Sequence, residues 1–150
     1  MLIRVLSHQV PKVWEVIKYA LVNTSSYEGE VLDKYLNSML RQLLAGYTIC
    51  VTELDADGNA ALIAIIREGV DEWSGDKIAY FDCLYSFSPA SNDIWKMRFD
   101  EFKKYLINRK ISKIVAYSSN SRIFEVCGYL GFVERNRVFE YDGGLGYGAK

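Results

Sequence analysis

The sequence predicts an α/β (α+β) fold, a single domain in which a mixed, mostly antiparallel sheet carries helices on both faces. Two stretches with apolar residues at helical spacing come before the first long strand pattern. Three strand patterns then follow one another across short turns, which is typical of antiparallel neighbours. A helix pattern separates the third of these strands from a fourth, and such a crossover joins parallel strands. We therefore expect an antiparallel meander that leads into a β-α-β crossover near the C-terminus.

The first part of the chain is predicted as one short strand and two helices. Residues 2–6 form the strand candidate. Pro11 suits the first turn of a helix, which stops at the break over residues 23–26. A second helix covers residues 30–44 and stops at Gly46, because glycine is the residue type that most often follows a helix end.

The middle of the chain changes to the period of strands. The turn Asp-Ala-Asp-Gly-Asn at residues 55–59 separates two stretches rich in β-branched residues, at 47–54 and 60–67. This arrangement predicts a hairpin. A looser turn at 69–76 leads to a third strand at 77–86.

The last third of the chain is predicted to alternate helices and strands. Ser91 or Asn92 can cap a helix that ends near Arg109. The domain, residues 1–141, is then completed by a strand at 111–118, a short helix at 121–130 and a final strand or strand pair at 132–141. Residues 142–150 carry four glycines in nine residues, which predicts a flexible tail.

The composition argues against several classes of protein. The 150 residues carry a formal net charge of −1 and no long basic run, so the sequence predicts no nucleic-acid partner. No apolar run approaches the ~20 residues that span a bilayer, so it predicts no membrane partner either. Three widely spaced cysteines, Cys50, Cys83 and Cys127, predict reduced thiols in a cytoplasmic protein rather than a disulfide framework or a metal site.

A motif near the C-terminus carries the most specific functional signal. Asn120 ends a predicted strand, and a short helix separates it from Gly131 and Phe132, eleven and twelve residues later. This pattern and the order of elements resemble the GNAT-type acyl-CoA N-acyltransferases across nearly the whole chain. The resemblance implies that a tyrosine seven residues after the asparagine protonates the leaving thiolate, a position that Cys127 occupies here. Tyr129, two residues further on, is turned by about 200° on a helix and should point elsewhere.

The second part of the resemblance is a loop that lacks glycine. GNAT enzymes hold the coenzyme A diphosphate with a glycine-containing loop and a helix N-terminus after the fourth strand, where backbone N–H groups approach the phosphates. The corresponding stretch here, SFSPASNDIWKMRFDEF at residues 86–102, has no glycine. Asp93 would place a negative charge beside the diphosphate, and Trp95 is bulky where the family has a small residue. The stretch therefore resembles an acyl-CoA loop rebuilt as a capped helix start, with Trp95 filling the core.

The resemblance implies site residues for an active enzyme, each of which also has a structural interpretation. Asp82, mid-strand with Ile78, Tyr80 and Leu84 on its face, is the candidate to accept a proton from the amine, or else a carboxylate on a solvated cleft wall. Cys127 is the candidate proton donor, or else a small buried residue. The candidate cofactor-binding residues are Leu84, Ser86, Asn92 and Asn120.

Two functions remain open on the sequence. In the first, a degenerate GNAT-like protein uses no cofactor and acts as a structural or interaction component through a protein partner or self-association. Small divergent members of the family occur in phages, including inside virions, so the resemblance extends this hypothesis to a virion or assembly component. In the second, an acetyl-CoA-dependent N-acetyltransferase binds its cofactor through strand backbone and helix N-terminus, with an atypical loop.

Overall fold

The computed structural model describes residues 1–118 and 120–141. The elements are, in chain order, β1 (Leu2–Val5), a short 3-10 helix (Ser7–Gln9), α1 (Val10–Thr24), α2 (Gly29–Ala45), β2 (Thr48–Leu54), β3 (Ala60–Val70), β4 (Lys77–Ser86), α3 (Asn92–Asn108), β5 (Lys113–Ala116) and α4 (Ser121–Tyr129). The predicted order of elements is confirmed through α4. The predicted flexible tail, residues 142–150, lies outside the described residues.

The five strands form one sheet in the order β1-β2-β3-β4-β5. The first three pairings are antiparallel. β4 and β5 pair in parallel, because α3 carries the chain back along the sheet between them. The mixed, mostly antiparallel sheet with a β-α-β crossover is therefore confirmed.

Each face of the sheet has its own apolar core. Ile63 and Ile65 of β3 contribute to the core that α1 and α2 cover, in which Ile17 of α1 is fully buried. Ile66 belongs to the opposite core, where Phe102 of α3 packs. The helices therefore lie on both faces, as predicted. In the part of the chain that the structure describes, none of these helices is both long and apolar enough to cross a membrane.

Two helix ends have clear local causes. α2 is followed by Gly46, whose φ of 79° is a left-handed conformation that glycine adopts without strain. α3 begins after Ser91, whose Oγ accepts a hydrogen bond from the N–H of Ile94 at 3.3 Å. Of the two predicted caps, Ser91 is the residue that caps α3, and Asn92 is its first residue.

The predicted final strand at residues 132–141 is wrong. The structure has irregular chain over this segment, in which Val138 is 77% exposed and Phe139 is 91% exposed. β-branched and aromatic residues favour a strand only where they pack on neighbouring strands, and these exposed side chains lack that packing among the described residues. The strand predicted at 111–118 is also shorter, because β5 pairs with β4 only over Lys113–Ala116.

Candidate active site

A β-bulge in β4 sets the position of Asp82. In the pairing with β3, Ile65 lies opposite Cys83 and Ile66 lies opposite Phe81, so Asp82 is the extra residue. The bulge reverses the alternation of side chains along β4, since Phe81 packs on the α3 face whereas Cys83 packs on the α1/α2 face. Bulges of this kind re-aim side chains and occur often next to active sites.

The bulge corrects one expectation from the sequence. Simple alternation predicts that Asp82 shares its face with Ile78, Tyr80 and Leu84. Leu84 instead packs in an apolar cluster on the α3 side, because the extra residue shifts the period by one. Asp82 faces the α1/α2 side, where it pairs with Arg67, and the Arg67 guanidinium lies over the Tyr80 ring at 4.6 Å.

β4 and β5 diverge directly before the bulged residue. Their pairing runs from Ile78 opposite Lys113 to Phe81 opposite Ala116 and ends there, while β4 continues to Ser86. The gap opens into a cleft of about 930 Å³ between β4 and the starts of α3 and α4. Five of the six candidate site residues line this cleft, and only Asn92 does not: Asp82, Leu84, Ser86, Asn120 and Cys127.

The backbone of β4 presents hydrogen-bonding groups to the cleft. The N–H of Phe87 donates to the carbonyl of Ala61 at 3.0 Å, so Phe87 and, by alternation, Tyr85 direct their backbone groups to β3. Leu84 and Ser86 alternate with them, so their N–H and C=O groups point to the side from which β5 has diverged. An extended ligand with amide groups can pair with such groups as an added strand does.

The start of α3 forms one end of the cleft and differs from a glycine loop. Residues 87–92 contain no position with positive φ. Trp95 is 6% exposed and packs with Leu62 and Val126, which confirms that it fills the core. Asp93 lies in the first turn of α3, where a carboxylate stabilises the helix by interacting with the positive end of its dipole.

Arg122 brings a positive charge to this end of the cleft. From the first turn of α4, its Nη2 donates to the carbonyl of Ala90 at 2.9 Å and to Oδ1 of Asn92 at 3.1 Å. Its Nη1 also donates to Glu125 at 3.3 Å. The guanidinium therefore links the start of α4 to the start of α3. Sequence reasoning missed this residue, and the signal that could have found it is its position two residues after Asn120.

Asn120 and Cys127 lie on the cleft wall that α4 forms. Oδ1 of Asn120 caps α4 by accepting hydrogen bonds from the N–H groups of Arg122 at 2.8 Å and Ile123 at 3.4 Å. Cys127 is half-buried, and burial raises the pKa of its thiol, which therefore stays protonated at neutral pH. Tyr129 is 48% exposed and is not part of the cleft lining.

Asp82 and Arg67 form a two-point ion pair where the cleft meets a second pocket. Nε of Arg67 donates to Oδ2 of Asp82 at 3.1 Å, and Nη2 donates to Oδ1 at 3.3 Å. The side chains of Arg67 and Asp82 are 45% and 22% exposed, so a ligand can reach both charges. The second pocket has a volume of about 590 Å³ and lies between β3, β4, α2 and the α1–α2 connection.

A buried arginine supports the cleft from the α3 side. Arg98 is 7% exposed, and its Nη2 and Nε donate to Oε1 of Glu53 at 2.9 and 3.2 Å. Its Nη1 donates to Oγ of Ser86 at 3.4 Å, and its guanidinium lies 5.0 Å from the centre of the Trp95 ring. Sequence reasoning missed Arg98, although its place within the buried stripe between Trp95 and Phe102 was an available signal.

Comparison with known proteins relates the fold to acetyltransferases. No family model matches the chain, and no curated protein matches it. A predicted acetyltransferase with acetyl-CoA from Clostridium acetobutylicum has a TM-score of 0.71 at 12% identity, over 95% of each chain. A putative acetyl transferase from Pyrococcus furiosus has a TM-score of 0.71 at 14% identity, over 94% of this chain and 99% of that one. An aminoglycoside antibiotic 6'-N-acetyltransferase from Acinetobacter baumannii has a TM-score of 0.69 at 10% identity, over 94% of this chain and 95% of that one.

At these identities the likeness concerns the fold. It agrees with the fold predicted from the sequence, in which α3 connects the parallel strands β4 and β5. The chain has the fold of the GNAT-type acetyltransferases.

Proposed function

We propose that the protein is an acyl-CoA-dependent N-acyltransferase that binds its acyl donor between β4 and β5. The observation that carries the proposal is the divergence of these strands at the bulge, which leaves backbone groups of Leu84 and Ser86 facing a cleft of about 930 Å³. The pantetheine arm of coenzyme A carries amide groups, which can pair with a free strand edge. Further support comes from the solved structures of this fold, which include an acetyltransferase with acetyl-CoA.

The residues at the α3 end of the cleft fit a diphosphate, though not as a glycine loop does. The N–H groups of Asn92 and Asp93 have no helical partner because they lie in the first turn. Arg122 places a guanidinium beside them, and guanidinium groups bind phosphates through paired hydrogen bonds. The carboxylate of Asp93 opposes an anion here, so we expect binding of the diphosphate to depend strongly on Arg122.

Two residues of the cleft can serve the proton transfers of the reaction. In N-acyl transfer the amine nitrogen bonds to the thioester carbonyl carbon and the carbon–sulfur bond breaks, while the amine loses a proton and the thiolate gains one. Asp82 lines both the cleft and the second pocket, so its carboxylate can accept the proton of an amine that enters there. Cys127 lines the cleft with a protonated thiol, which can donate to the thiolate.

Release of free thiol from acetyl-CoA tests the proposal. The protein is mixed with acetyl-CoA and a panel of primary amines, and the released thiol is measured with a colorimetric reagent. We expect amine-dependent release by the wild type. Ala116→Phe places an aromatic ring in the cleft at the end of β5, and we expect it to lower the rate by about tenfold or more.

Ala45→Phe is the matched control for this experiment. It adds the same ring at the exposed C-terminal end of α2, outside the cleft lining. We expect the rate of Ala45→Phe to stay within about twofold of the wild type, since isolated surface substitutions have small effects. Equal loss in both variants would contradict a reaction in the β4–β5 cleft.

A second candidate function, a non-catalytic interaction component, is supported by the segment after α4. Val133, Val138, Phe139 and Tyr141 are 64%, 77%, 91% and 77% exposed, which is typical of a surface that another chain covers. A structural role in a phage particle would be one form of this function. The interaction function predicts that the protein sediments as a species larger than the 17.2 kDa monomer. We expect Phe139→Asp to dissociate this species. A monomer that releases thiol from acetyl-CoA would contradict it.

A further inference from the structure

The second pocket is the place from which an acceptor can reach Asp82. The pocket of about 590 Å³ shares part of its wall with the main cleft, because Thr24, Ser25, Ser26 and Asp82 line both. A molecule in this pocket and an acyl donor in the cleft would therefore meet at the bulge of β4. The residues of the pocket should then match the chemistry of the acceptor.

The charged groups of this pocket form one balanced pair. Among the described residues that line it, Arg67 is the single cation and Asp82 is the single anion. Their ion pair uses Nε and Nη2 of the guanidinium and one contact to each carboxylate oxygen. A guanidinium has more N–H donors than these two contacts use, and each carboxylate oxygen can accept a further hydrogen bond. The pair can therefore bind one anionic and one cationic group of a ligand without separating.

The rest of the pocket wall is neutral. The rings of Tyr27 and Tyr35 lie 5.2 Å apart, and Met39 lines the same wall. Burial raises the pKa of Tyr35 to about 12, so its phenol stays protonated and adds no charge. A polyamine or an aminoglycoside carries several ammonium groups. This pocket offers them only one carboxylate, which is already paired with an arginine, so its charges do not match such a ligand.

We propose that the acceptor is a free α-amino acid with an uncharged side chain. Its carboxylate would bind Nη1 of Arg67, its ammonium group would bind Asp82, and its side chain would lie against Tyr27, Tyr35 and Met39. The ammonium group gives one proton to Asp82, the nitrogen bonds to the thioester carbon and the carbon–sulfur bond breaks. The nitrogen then loses its second proton, which balances the proton that the departing thiolate takes up. This inference rests on the proposed function and names the class of its acceptor.

Pairs of substrates that differ only in the carboxylate test the inference. Leucine and phenylalanine are compared with 3-methylbutylamine and 2-phenylethylamine, and spermidine serves as a polycation. For the wild type we expect kcat/KM to be about tenfold or more higher for each amino acid than for its amine, because the amine has no carboxylate to bind Nη1 of Arg67. We expect spermidine to be the poorest acceptor.

Arg67→Met identifies the group that recognises the carboxylate. We expect it to lower kcat/KM for the amino acids by about 10- to 100-fold more than for the matching amines, mainly through KM. Both substrates share any effect of the substitution on Asp82, but only the amino acids lose the contact to their carboxylate. Arg109→Met is the matched control, because Arg109, like Arg67, pairs with a carboxylate on a strand, that of Glu68, but lies outside the pocket. The ratio of kcat/KM for an amino acid to kcat/KM for its amine, measured in one preparation, does not depend on how much of the variant is folded.

The outcomes separate this inference from the proposed function. Thiol release with amines, spermidine or peptide N-termini but not with free amino acids would overturn the inference and leave the proposed function standing. An equal loss for amino acids and amines in Arg67→Met would do the same. If the wild type neither binds acetyl-CoA nor releases thiol with any acceptor, the proposed function fails and the inference fails with it.

Discussion

Asp82 has a role both in the fold, as the extra residue of a bulge, and in the candidate chemistry, as a proton acceptor. As the extra residue of the bulge it interrupts the β3–β4 ladder, and its carboxylate lies 3.1 Å from Nε of Arg67. The pairing of β4 with β5 ends one residue earlier, at Phe81, so the cleft opens at the same position. One inserted residue in a strand therefore accounts for both the direction of the carboxylate and the space beside it.

The three cysteines differ in a way that reports on the cleft. Burial raises the pKa of Cys50 to about 12 and that of Cys83 to about 11. Cys83 and Cys127 both line the cleft, but Cys83 is buried, whereas Cys127 is only half-buried. We expect one thiol to react fast with a thiol reagent, and Cys127→Ser to remove this fast phase. At acetyl-CoA about ten times its Kd, the fast rate should fall about tenfold because most of the protein is liganded. An unchanged rate would contradict binding at this wall.

The Glu53–Arg98 pair is expected to matter for stability. Arg98 is 7% exposed, and removing its carboxylate partner leaves a buried charge with poorer hydrogen bonding. We expect Glu53→Ala to lower the free energy of unfolding by about 1–3 kcal/mol, measured by urea denaturation. Glu72→Ala, on the exposed β3–β4 turn, is the control and should change it by less than about 0.5 kcal/mol. Equal effects of both substitutions would contradict a structural role for the pair.

At the scale of elements, the sequence predicted the helices and strands whose bounds depend on local residue patterns. The helix predicted at 30–44 is Gly29–Ala45 in the structure, and the strand predicted at 77–86 has the same bounds as β4. Both predictions are close because the sequence carries a clear periodic pattern along each element and residues typical of its ends. The strand predicted at 111–118 is shorter because its partner diverges at the bulge, and the period of two gives no sign of a bulge. The strand predicted at 132–141 lacks a described partner altogether. In both cases pairing, which is a long-range property, decides the outcome.

α3 begins with a capping serine where GNAT enzymes have a glycine-containing loop. The contribution of this cap to stability should be measurable. The N–H of Ile94 donates to Oγ of Ser91 at 3.3 Å. We expect Ser91→Ala to lower the free energy of unfolding by about 1 kcal/mol. Ser121→Ala removes a hydroxyl from the exposed first turn of α4 and should change it by less than about 0.5 kcal/mol. Urea denaturation of the two variants checks this, and an unaffected Ser91→Ala would contradict the cap.

The ion pair between Glu68 on β3 and Arg109 after α3 gives a stability that depends on pH. The hydrogen bond from Arg109 lowers the pKa of Glu68 below its usual 4.5. Because the pKa is lower in the folded state, this contribution is present above about pH 4.5 and is lost as the pH falls through the folded value. We expect stability to decline less steeply below pH 4.5 in Glu68→Gln than in the wild type. Parallel declines in denaturation midpoints would contradict a coupling between these two elements.

At the scale of the whole molecule, the candidate site joins distant parts of the chain. Arg98 contacts Glu53 across 45 positions, and Arg122 contacts Ala90 across 32. Local patterns could have marked Arg98 and Arg122 as residues of interest, but such contacts depend on how distant elements pack together, which no local pattern predicts. Asn120 and Cys127 were found because the motif that contains them is short and continuous.

The central claim is that the cleft between β4 and β5 binds an acyl-CoA, and thermal unfolding with acetyl-CoA tests it most directly. Ligand at about 100 times its Kd adds about 2.7 kcal/mol to the stability of the folded state. We therefore predict that the wild type gains a few degrees in Tm, that Ala45→Phe gains as much, and that Ala116→Phe gains nothing. No shift of the wild type at millimolar acetyl-CoA, or an equal shift of Ala116→Phe, would contradict the claim.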